Sequence, residues 1–434
     1  PECALRSRLS DLLGLRGLLR VAGFHGGGRE FELLDELDKV VARLDLASLR
    51  DDDEAGESAY RLCQLRPLRG YGGQARRAAE TLRQLGATAG AGPLWMSLER
   101  RDSLPRPHTL KPAFGLSSEM PARQAVSHVV ARMLVIARGC ERGIIDDVDS
   151  EFLHDYRICI RKIRSLLSLI RQVFPAPETA GMKREFAALA RRTNRLRDLD
   201  VVLLSRGKFR NLLPQALRGG LDGMFRDFTR ERRREHARLA RFLASTDYHR
   251  KLGKLTEFFA HADDLPVTQD SLRPIRPLVC ARIRKLYRRV QTISGGITPE
   301  TPDETIHSLR IQCKKLRYLL EFFRELLPEK RLRRAASELR RLQNCLGLFN
   351  DYAVQQQCTL DYWQRDSGGQ RDDATAALAV GGLAGALYTH RQLQRDAVRE
   401  RLARFRSAQT RNRFDVLLDD LAQPGRGQRA EMNA

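Results

Sequence analysis

A motif of one histidine and four cations occurs twice in the chain, at a constant separation of 153 residues. The first copy begins at His154 and the second at His307, and basic residues follow at the same four spacings in each. The matched cations are Arg157, Arg161, Lys162 and Arg164 in the first copy, and Arg310, Lys314, Lys315 and Arg317 in the second. The chain must therefore fold so that two separate segments present the same row of positive charge.

On an α-helix, positions i, i+3, i+7 and i+10 share one narrow face. Both motifs therefore predict a helix with cations on one side and a buried apolar face on the other. The apolar residues are Ile163, Leu166, Leu167 and Ile170 in the first copy, and Leu316, Leu319, Leu320 and Phe323 in the second. Like charges at these spacings repel each other and weaken a helix, so their repetition predicts a compensating anion. The row is about 15 Å long, which suits a chain of phosphates better than a single phosphate.

Two alternatives stand beside this interpretation. A charged row on a helix is often only its solvated face. Each histidine also lies near the start of its helix, where it could serve only to position the residues that follow.

Helical periodicity continues from about residue 121 almost to the end of the chain. It predicts two sets of four helices, over 121–245 and 269–408, separated by a linker at 246–268. Further landmarks match in the same order, including Asp198 with Asp351 and Gly219 with Gly381. The sequence thus predicts a mainly α fold, with two pseudo-symmetric four-helix bundles produced by an internal duplication.

The flanking segments have a different character. Residues 1–120 predict a small α+β region that ends in a linker rich in Gly, Pro and Ser, and residues 409–434 are expected to form a disordered tail. The predicted elements of the α+β region are a helix over Leu5–Val21, strands over 29–35, 39–46 and 60–65, a helix over 75–85, and the linker over 87–120.

The net charge of +23 is concentrated in the helical part, because residues 1–120 contribute only +1. This indicates a polyanionic partner: nucleic acid, an anionic membrane surface or a phosphate polymer. The aromatic content of 6% offers no stacking platform for bases, which leaves only nonspecific contact with nucleic acid. No basic amphipathic helix places a tryptophan on its apolar face, so a membrane partner is not expected. The eight cysteines have no zinc-binding spacing and suit a reducing cytosol.

Other motifs favour structural roles. The glycine segments that begin at Gly219 and Gly381 follow no strand, so they predict close helix crossings rather than nucleotide-binding loops. The acids Asp198, Asp200 and Asp351 are expected to pair with arginines and orient them. The sequence contains no arrangement that identifies a catalytic set or a metal site.

The repeated motif resembles the signature of the CHAD family, the conserved-histidine α-helical domain. The segments Arg197-Asp-Leu-Asp-Val201 and Asn350-Asp-Tyr-Ala-Val354 are similar to the family's following helix, although Ala353 replaces its second aspartate. The resemblance spans about 121–408 and implies a basic central cleft that binds inorganic polyphosphate. The implied contacts are His154, Arg157, Arg161, Lys162, Arg164, His307, Arg310, Lys314, Lys315 and Arg317, with Arg191, Arg195, Arg340 and Arg341 as weaker candidates.

Residues 29–72 faintly resemble the later strands of a CYTH (triphosphate tunnel) domain, which often precedes a CHAD domain. The catalytic E-x-E-x-K pattern is not met, because Leu34 stands where lysine is required. A truncated or degenerate relative is implied. The sequence therefore predicts a non-catalytic module without cofactor or metal, cytoplasmic and associated with polyphosphate granules. The alternatives are an enzyme that acts on phosphoanhydrides and a nonspecific nucleic-acid-binding protein.

Overall fold

The computed structural model describes residues 24–51, 59–88, 112–365 and 374–422, which divide into two compact units. The smaller unit is a three-stranded antiparallel sheet in the order β1-β2-β3, followed by helix α1. Its elements are β1 (Phe24–Leu34), β2 (Val40–Asp51), β3 (Ala59–Pro67) and α1 (Gly72–Gln84). The predicted α+β character is confirmed, and each strand is longer than the sequence predicts. The helix predicted over Leu5–Val21 lies outside the described residues.

The larger unit is helical and begins with six helices: α2 (Ala122–Ile145), α3 (Ser150–Leu169), α4 (Ala176–Leu204), the short α5 (Arg206–Asn211), α6 (Asp222–Leu243) and α7 (Thr246–Ala260). The helices that follow are α8 (Ile275–Gly295), α9 (Asp303–Phe322), α10 (Glu329–Arg365), α11 (Ala374–Phe405) and α12 (Ala408–Ala422). The predicted mainly α fold is therefore confirmed. Helices α8, α9 and α10 begin 153 residues after α2, α3 and α4, respectively.

The linker predicted at 246–268 is wrong over most of its length, because helix α7 occupies residues 246–260. Ser245 caps this helix by accepting a hydrogen bond from the backbone N–H of Tyr248 at 3.3 Å. Four buried residues at helical spacing, Tyr248, Leu252, Leu255 and Phe259, pack it against the core beside α2. The apolar period is present in the sequence, but the polar and proline-containing residues that follow it favour the loop interpretation.

The disordered tail predicted from residue 409 is likewise wrong as far as 422, where helix α12 continues the fold. Phe414, Leu417 and Leu418 on this helix are buried. The Phe414 ring stacks on Tyr287 of α8 with centroids 4.1 Å apart. Each set therefore ends in a helix that packs on its first helix and that the sequence interpretation misses: α7 on α2, and α12 on α8.

The segment that precedes the first helix belongs to the helical unit. Within the linker predicted at 87–120, the backbone N–H groups of Phe114 and Leu116 donate to the carboxylate of Glu325, at 2.7 and 2.9 Å. Both side chains are buried at the edge of the core. The predicted linker therefore ends before residue 114, and its residues 89–111 lie outside the described part of the chain.

A backbone clasp holds together the starts of the two sets. The N–H of Ala122 donates to the carbonyl of Arg273 at 2.8 Å, and the N–H of Ile275 donates to that of Met120 at 2.9 Å. One hydrophobic core then runs through both sets and contains all eight residues predicted for the apolar faces of the histidine helices. The two charged faces are thereby fixed relative to each other.

The predicted close crossing of the glycine segments is present. Gly220 lies in a 3₁₀ turn (Gln215–Leu221) that packs against α11. A Cβ atom at this position would stand 2.5 Å from the carbonyl oxygen of Thr375 and 2.7 Å from the Cβ of Ala379. Only glycine allows this approach. The crossing ties the turn before α6 in the first set to the start of α11 in the second.

Candidate functional site

The two histidine helices, α3 and α9, pack directly against each other. The Nε of Arg161 on α3 donates to the hydroxyl of Tyr318 on α9 at 3.0 Å. One turn away, the ammonium of Lys162 forms an ion pair with Glu321 at 3.2 Å. The rows of charge that the sequence places 153 residues apart are therefore neighbours in the fold.

Five cations from three helices act on one another, and we name them the cation cluster: Arg157 and Arg161 on α3, Arg197 on α4, and Arg310 and Lys314 on α9. Burial lowers the pKa of Lys314 to about 7, with further contributions from Arg310, Arg161 and Arg317. Burial also lowers the pKa of Arg310, and Arg161 adds to this effect although Asp351 opposes it. Charges from the two histidine helices are thus close enough to act on one another.

Arg157 is held in place by helix α4. Its Nη1 donates to the hydroxyl of Thr193 at 2.6 Å and to the amide oxygen of Asn194 at 2.8 Å. Burial lowers the pKa of Arg157 to about 10, an effect that Asp198 opposes. The guanidinium therefore remains charged at neutral pH, and α4 fixes its direction.

His154 lies among these arginines and is neutral at neutral pH. Burial lowers the pKa of His154 to about 4, followed by the charges of Arg197, Arg161 and Arg157. Its imidazole can therefore donate or accept a hydrogen bond, but it adds no charge to the free site.

His307, the second histidine, has different surroundings. It is exposed, and its Nδ1 donates to the amide oxygen of Asn350 on α10 at 2.9 Å. Asn350 stands 153 residues after Arg197, the residue whose charge acts on His154. The two histidines thus have partners at equivalent positions, but only one of these partners is a cation.

The predicted contact Lys162 does not join the cation cluster. Its side chain is buried between α3 and α9, where it pairs with Glu321 and lies 6.0 Å from the centre of the Phe322 ring. Arg317 approaches the same Glu321 at 3.4 Å while also acting on Lys314. Lys162 is therefore placed to tie the helices together rather than to face a ligand.

The remaining predicted contacts lie at the margins of the cluster. Arg164 is exposed near the end of α3, and Lys315 is half-buried on α9. Of the weaker candidates, Arg191 and Arg340 are exposed, and Arg341 pairs with Glu338 on its own helix. Arg195 donates to both carboxylate oxygens of Glu231, at 2.6 and 2.5 Å.

Arg197 is a site residue that the sequence interpretation misses. It precedes Asp198 in the segment that resembles the family, and it lies one turn beyond Thr193 and Asn194, which hold Arg157. The spacing of Arg197 from Thr193 and Asn194 is the feature of the sequence that could have indicated its place in the site. Asp200, predicted to orient an arginine, does so: it is buried and accepts from the Nε of Arg232 at 2.8 Å.

One group in the described part of the chain brings potential metal ligands close together. The ligand atoms of Glu151, His154 and Asp155 lie within 4.8 Å of one another on the first turns of α3. A guanidinium nitrogen of Arg197 lies 4.0 Å from the Glu151 carboxylate, and three arginines act on His154. The surrounding positive charge opposes a metal cation at this position.

The comparisons with known proteins agree with this architecture. The CHAD domain model matches residues 128–360, which is more than half of the chain. The chain belongs to the CHAD domain family. The fold of its helical unit is also similar to the crystal structure of the CHAD domain from the plant Ricinus communis, with a TM-score of 0.56 and 22% identity. That likeness covers 68% of this chain and 95% of the plant domain.

Two relatives of this CHAD protein occur in Mycobacterium tuberculosis. They are Uncharacterized protein MT2285 (strain CDC 1551 / Oshkosh) and Uncharacterized protein Rv2226 (strain ATCC 25618 / H37Rv), each 29% identical over 207 residues. The match covers 46% of this chain but only 38% of each relative. The family match does not reach residues 24–88, so the faint resemblance of that region to a CYTH domain stays a prediction.

Proposed function

We propose that this CHAD protein binds inorganic polyphosphate at the cation cluster. The observation that carries the proposal is the convergence of Arg161 with Arg310 and Lys314, from helices that lie far apart in the chain. Helices that place cations together at a partly buried position pay a repulsive cost in the free protein. The attraction between these cations and a bound polyanion would offset their mutual repulsion.

Phosphate fits the chemistry of the cluster. Guanidinium groups offer parallel donors to phosphate oxygens and stay charged at every relevant pH. The Nε of Arg310 is buried and has no hydrogen-bond partner within the described residues. Such a donor is costly unless a ligand accepts from it.

A chain of phosphates suits the site better than a single phosphate. Each predicted row extends for about 15 Å along its helix, and helices α3 and α9 pack against each other. One phosphate group can contact only a few of these donors at once. Affinity should therefore rise with the length of the phosphate chain until the row is filled.

The proposal assigns no catalysis to the site. With a pKa of about 4, the imidazole of His154 is neutral near pH 7 and is a poor general acid. His307 is engaged by Asn350. Both histidines are proposed to position the binding residues, and the cytoplasm, at polyphosphate granules, is the proposed location. In the described part of the chain, no helix is long and apolar enough to span a membrane.

The test is a calorimetric titration of the full chain with phosphate chains of increasing length, comparing wild type with R161A/R310A. Two charge-assisted hydrogen bonds are lost, at about 1.5 kcal/mol each or more, so affinity should fall about 100-fold or more. The matched control is R250A/R333A, which removes the same charge from exposed ion pairs elsewhere. Equal affinity in the two double variants would place the binding outside the cation cluster.

Two further measurements distinguish the alternatives: phosphate release and competition with RNA. An enzyme would release phosphate from the polymer, with or without added metal ions, and this release would depend on His154. A nonspecific nucleic-acid-binding protein would bind RNA as tightly as polyphosphate at equal concentrations of phosphate groups, and salt would weaken both equally.

A further inference from the structure

A cavity of about 520 Å³ lies between helices α4, α6 and α10, and none of the five cations of the cation cluster lines it. Four carboxylates face it, from Asp198, Asp227, Glu231 and Asp361, together with the guanidinium groups of two arginines. In a chain of net charge +23, a cavity with an excess of carboxylates is a local exception. The proposed polyphosphate site does not explain it.

The arginines around the cavity compensate part of this negative charge only weakly. Arg195 uses two donors on the two oxygens of Glu231, which makes a closed bidentate pair. Arg365 reaches Asp361 only at 3.7 Å, and its side chain is 66% exposed. Arg230 reaches Asp227 at 3.4 Å, and its side chain is likewise 66% exposed. Such exposed and long ion pairs contribute little. Asp198 interacts electrostatically with Arg157, Arg195 and Arg197. The carboxylates of Asp227 and Asp361 therefore give the cavity its electrostatic character.

Aromatic and aliphatic groups lie between the acids. The rings of Phe228 and Tyr362 meet edge to face, with centroids 5.2 Å apart. The Tyr362 hydroxyl donates to Asp227 at 3.0 Å and so fixes a carboxylate beside the rings. Val354 also lines the cavity and is half exposed. Carboxylates next to aromatic faces form an environment that favours organic ammonium groups.

The carboxylates are too widely spaced for three of them to share one metal ion. A bound Mg²⁺ or Ca²⁺ draws its oxygen ligands to within about 2.0–2.6 Å of the ion. Within the described residues, no three acids of this cavity bring their oxygens within 4.8 Å of one another. The lining suits a ligand whose own positive charges are separated.

The shape of the cavity points to an elongated ligand. One wall is a single face of α10, from Val354 through Asp361 to Arg365, which extends for about 16 Å. We propose that the cavity binds a linear aliphatic polyamine, with its ammonium groups on Asp227 and Asp361. Its methylene groups would lie against Val354 and Phe228.

The experiment titrates spermidine into the intact protein at about 0.15 M salt, followed by calorimetry and by fluorescence of Trp363. Trp363 packs beside the cavity's hydrophobic residues, and in a W95F background it is the single remaining tryptophan. Saturable binding of spermidine is expected, and D227N/D361N should weaken it at least tenfold. Asparagine keeps the shape of each side chain and still accepts from Tyr362.

The matched control is D247N/E329Q, which removes the same charge from exposed surface positions and should bind spermidine like the wild type. Equal affinity in both double variants, or no saturable binding in the wild type, would overturn the proposal. Displacement of spermidine by Mg²⁺ at matched concentrations would overturn the polyamine assignment. Circular dichroism of each variant checks that it is folded.

The outcome is independent of the proposed polyphosphate function, since no residue of the cation cluster is altered. R161A/R310A should keep its affinity for spermidine while losing that for polyphosphate. D227N/D361N should show the reverse pattern. The failure of one proposal therefore leaves the other intact.

Discussion

In the first half of the helical unit, His154 lies beside the guanidinium of Arg197, whereas in the second half His307 hydrogen-bonds to the amide of Asn350 at the equivalent position. The histidine motifs have the same spacing, but helix α4 supplies a charge where α10 supplies a neutral dipole. A second difference follows three residues later. Asp200 in the first half is buried in a network with Arg232 and Asp147, while Ala353 takes its place in the second.

The comparison teaches that a repeated motif does not create two equal binding surfaces. The first half is a group of arginines around a neutral histidine, in which Thr193 and Asn194 hold Arg157 in place. The second half contributes Lys314, whose charge depends on pH near neutrality. If the proposed ligand binds, the contribution of the first half to the affinity should not change with pH near neutrality. The contribution of the second half should change with pH.

The largest expected effect is a pH dependence that arises from the second half. In the free protein the pKa of Lys314 is about 7, and a bound polyanion raises it because the ammonium form is stabilised. Between the two pKa values, binding takes up a proton, so affinity falls as pH rises above 7, by at most about tenfold per pH unit. K314R keeps its charge and should flatten this dependence.

Calorimetry in buffers of different ionisation enthalpy measures the proton uptake directly. The pKa of His154, about 4, lies well below this range in the free protein. If K314R binds with the same pH slope as the wild type, then Lys314 is not the group that titrates.

An exchange of the two histidine partners should give the next largest effect. R197N removes a cation from the first half and should weaken polyphosphate binding by about fivefold, from a Coulomb contribution of roughly 1 kcal/mol. N350R should strengthen it by a similar factor. The pKa of His154 should also rise in R197N, although not to its ordinary value, because burial is the larger cause of its depression.

NMR titration of the histidine side chains measures that pKa, and calorimetry measures the affinities. An unchanged pKa of His154 in R197N would remove the electrostatic distinction between the halves.

The smallest effect on affinity is expected at the contact between the halves. K162M removes the buried partner of Glu321, which retains Arg317, so the protein should lose about 1–3 kcal/mol of stability. Polyphosphate affinity should change by less than about threefold, because a buried side chain offers little to a ligand.

The matched variant is K315M, which makes the same substitution at the equivalent position of the second motif, where the lysine is half-buried. K315M should lower the binding free energy for polyphosphate by more than it lowers the free energy of unfolding. Thermal unfolding measures the stability of both variants, and calorimetry measures their affinity. A large loss of affinity with little loss of stability in K162M would show that Lys162 contacts the ligand.

The helices and their buried faces can be predicted from the sequence, because the spacing of the apolar residues indicates both where a helix forms and which of its faces is buried. Leu166 and Leu319 are fully buried, as their spacing predicts. The position of Lys162 does not follow in this way. Adjacent cations at +7 and +8 point about 100° apart on a helix, and only the packing of α3 against α9 decides which of them is enclosed.

Arg197 and helix α7 illustrate two further limits. The contribution of Arg197 depends on how α4 lies over α3, which no local pattern determines. Helix α7 has a clear apolar period, but the loop residues from Asp263 to Pro266 dominate the interpretation of its segment. The internal duplication itself stays a prediction, consistent with the constant offset of the first helices in each set.

The clasp between Ala122 and Arg273 and between Met120 and Ile275 has a consequence for the continuity of the chain. Because the two sets are joined there, through their common core and at Gly220, the covalent connection after α7 is not the main link between them. A single cut in that connection should leave a complex of two fragments that survives gel filtration. Each fragment alone would expose its half of the hydrophobic core, so the two fragments should elute together and neither should elute as a folded species by itself.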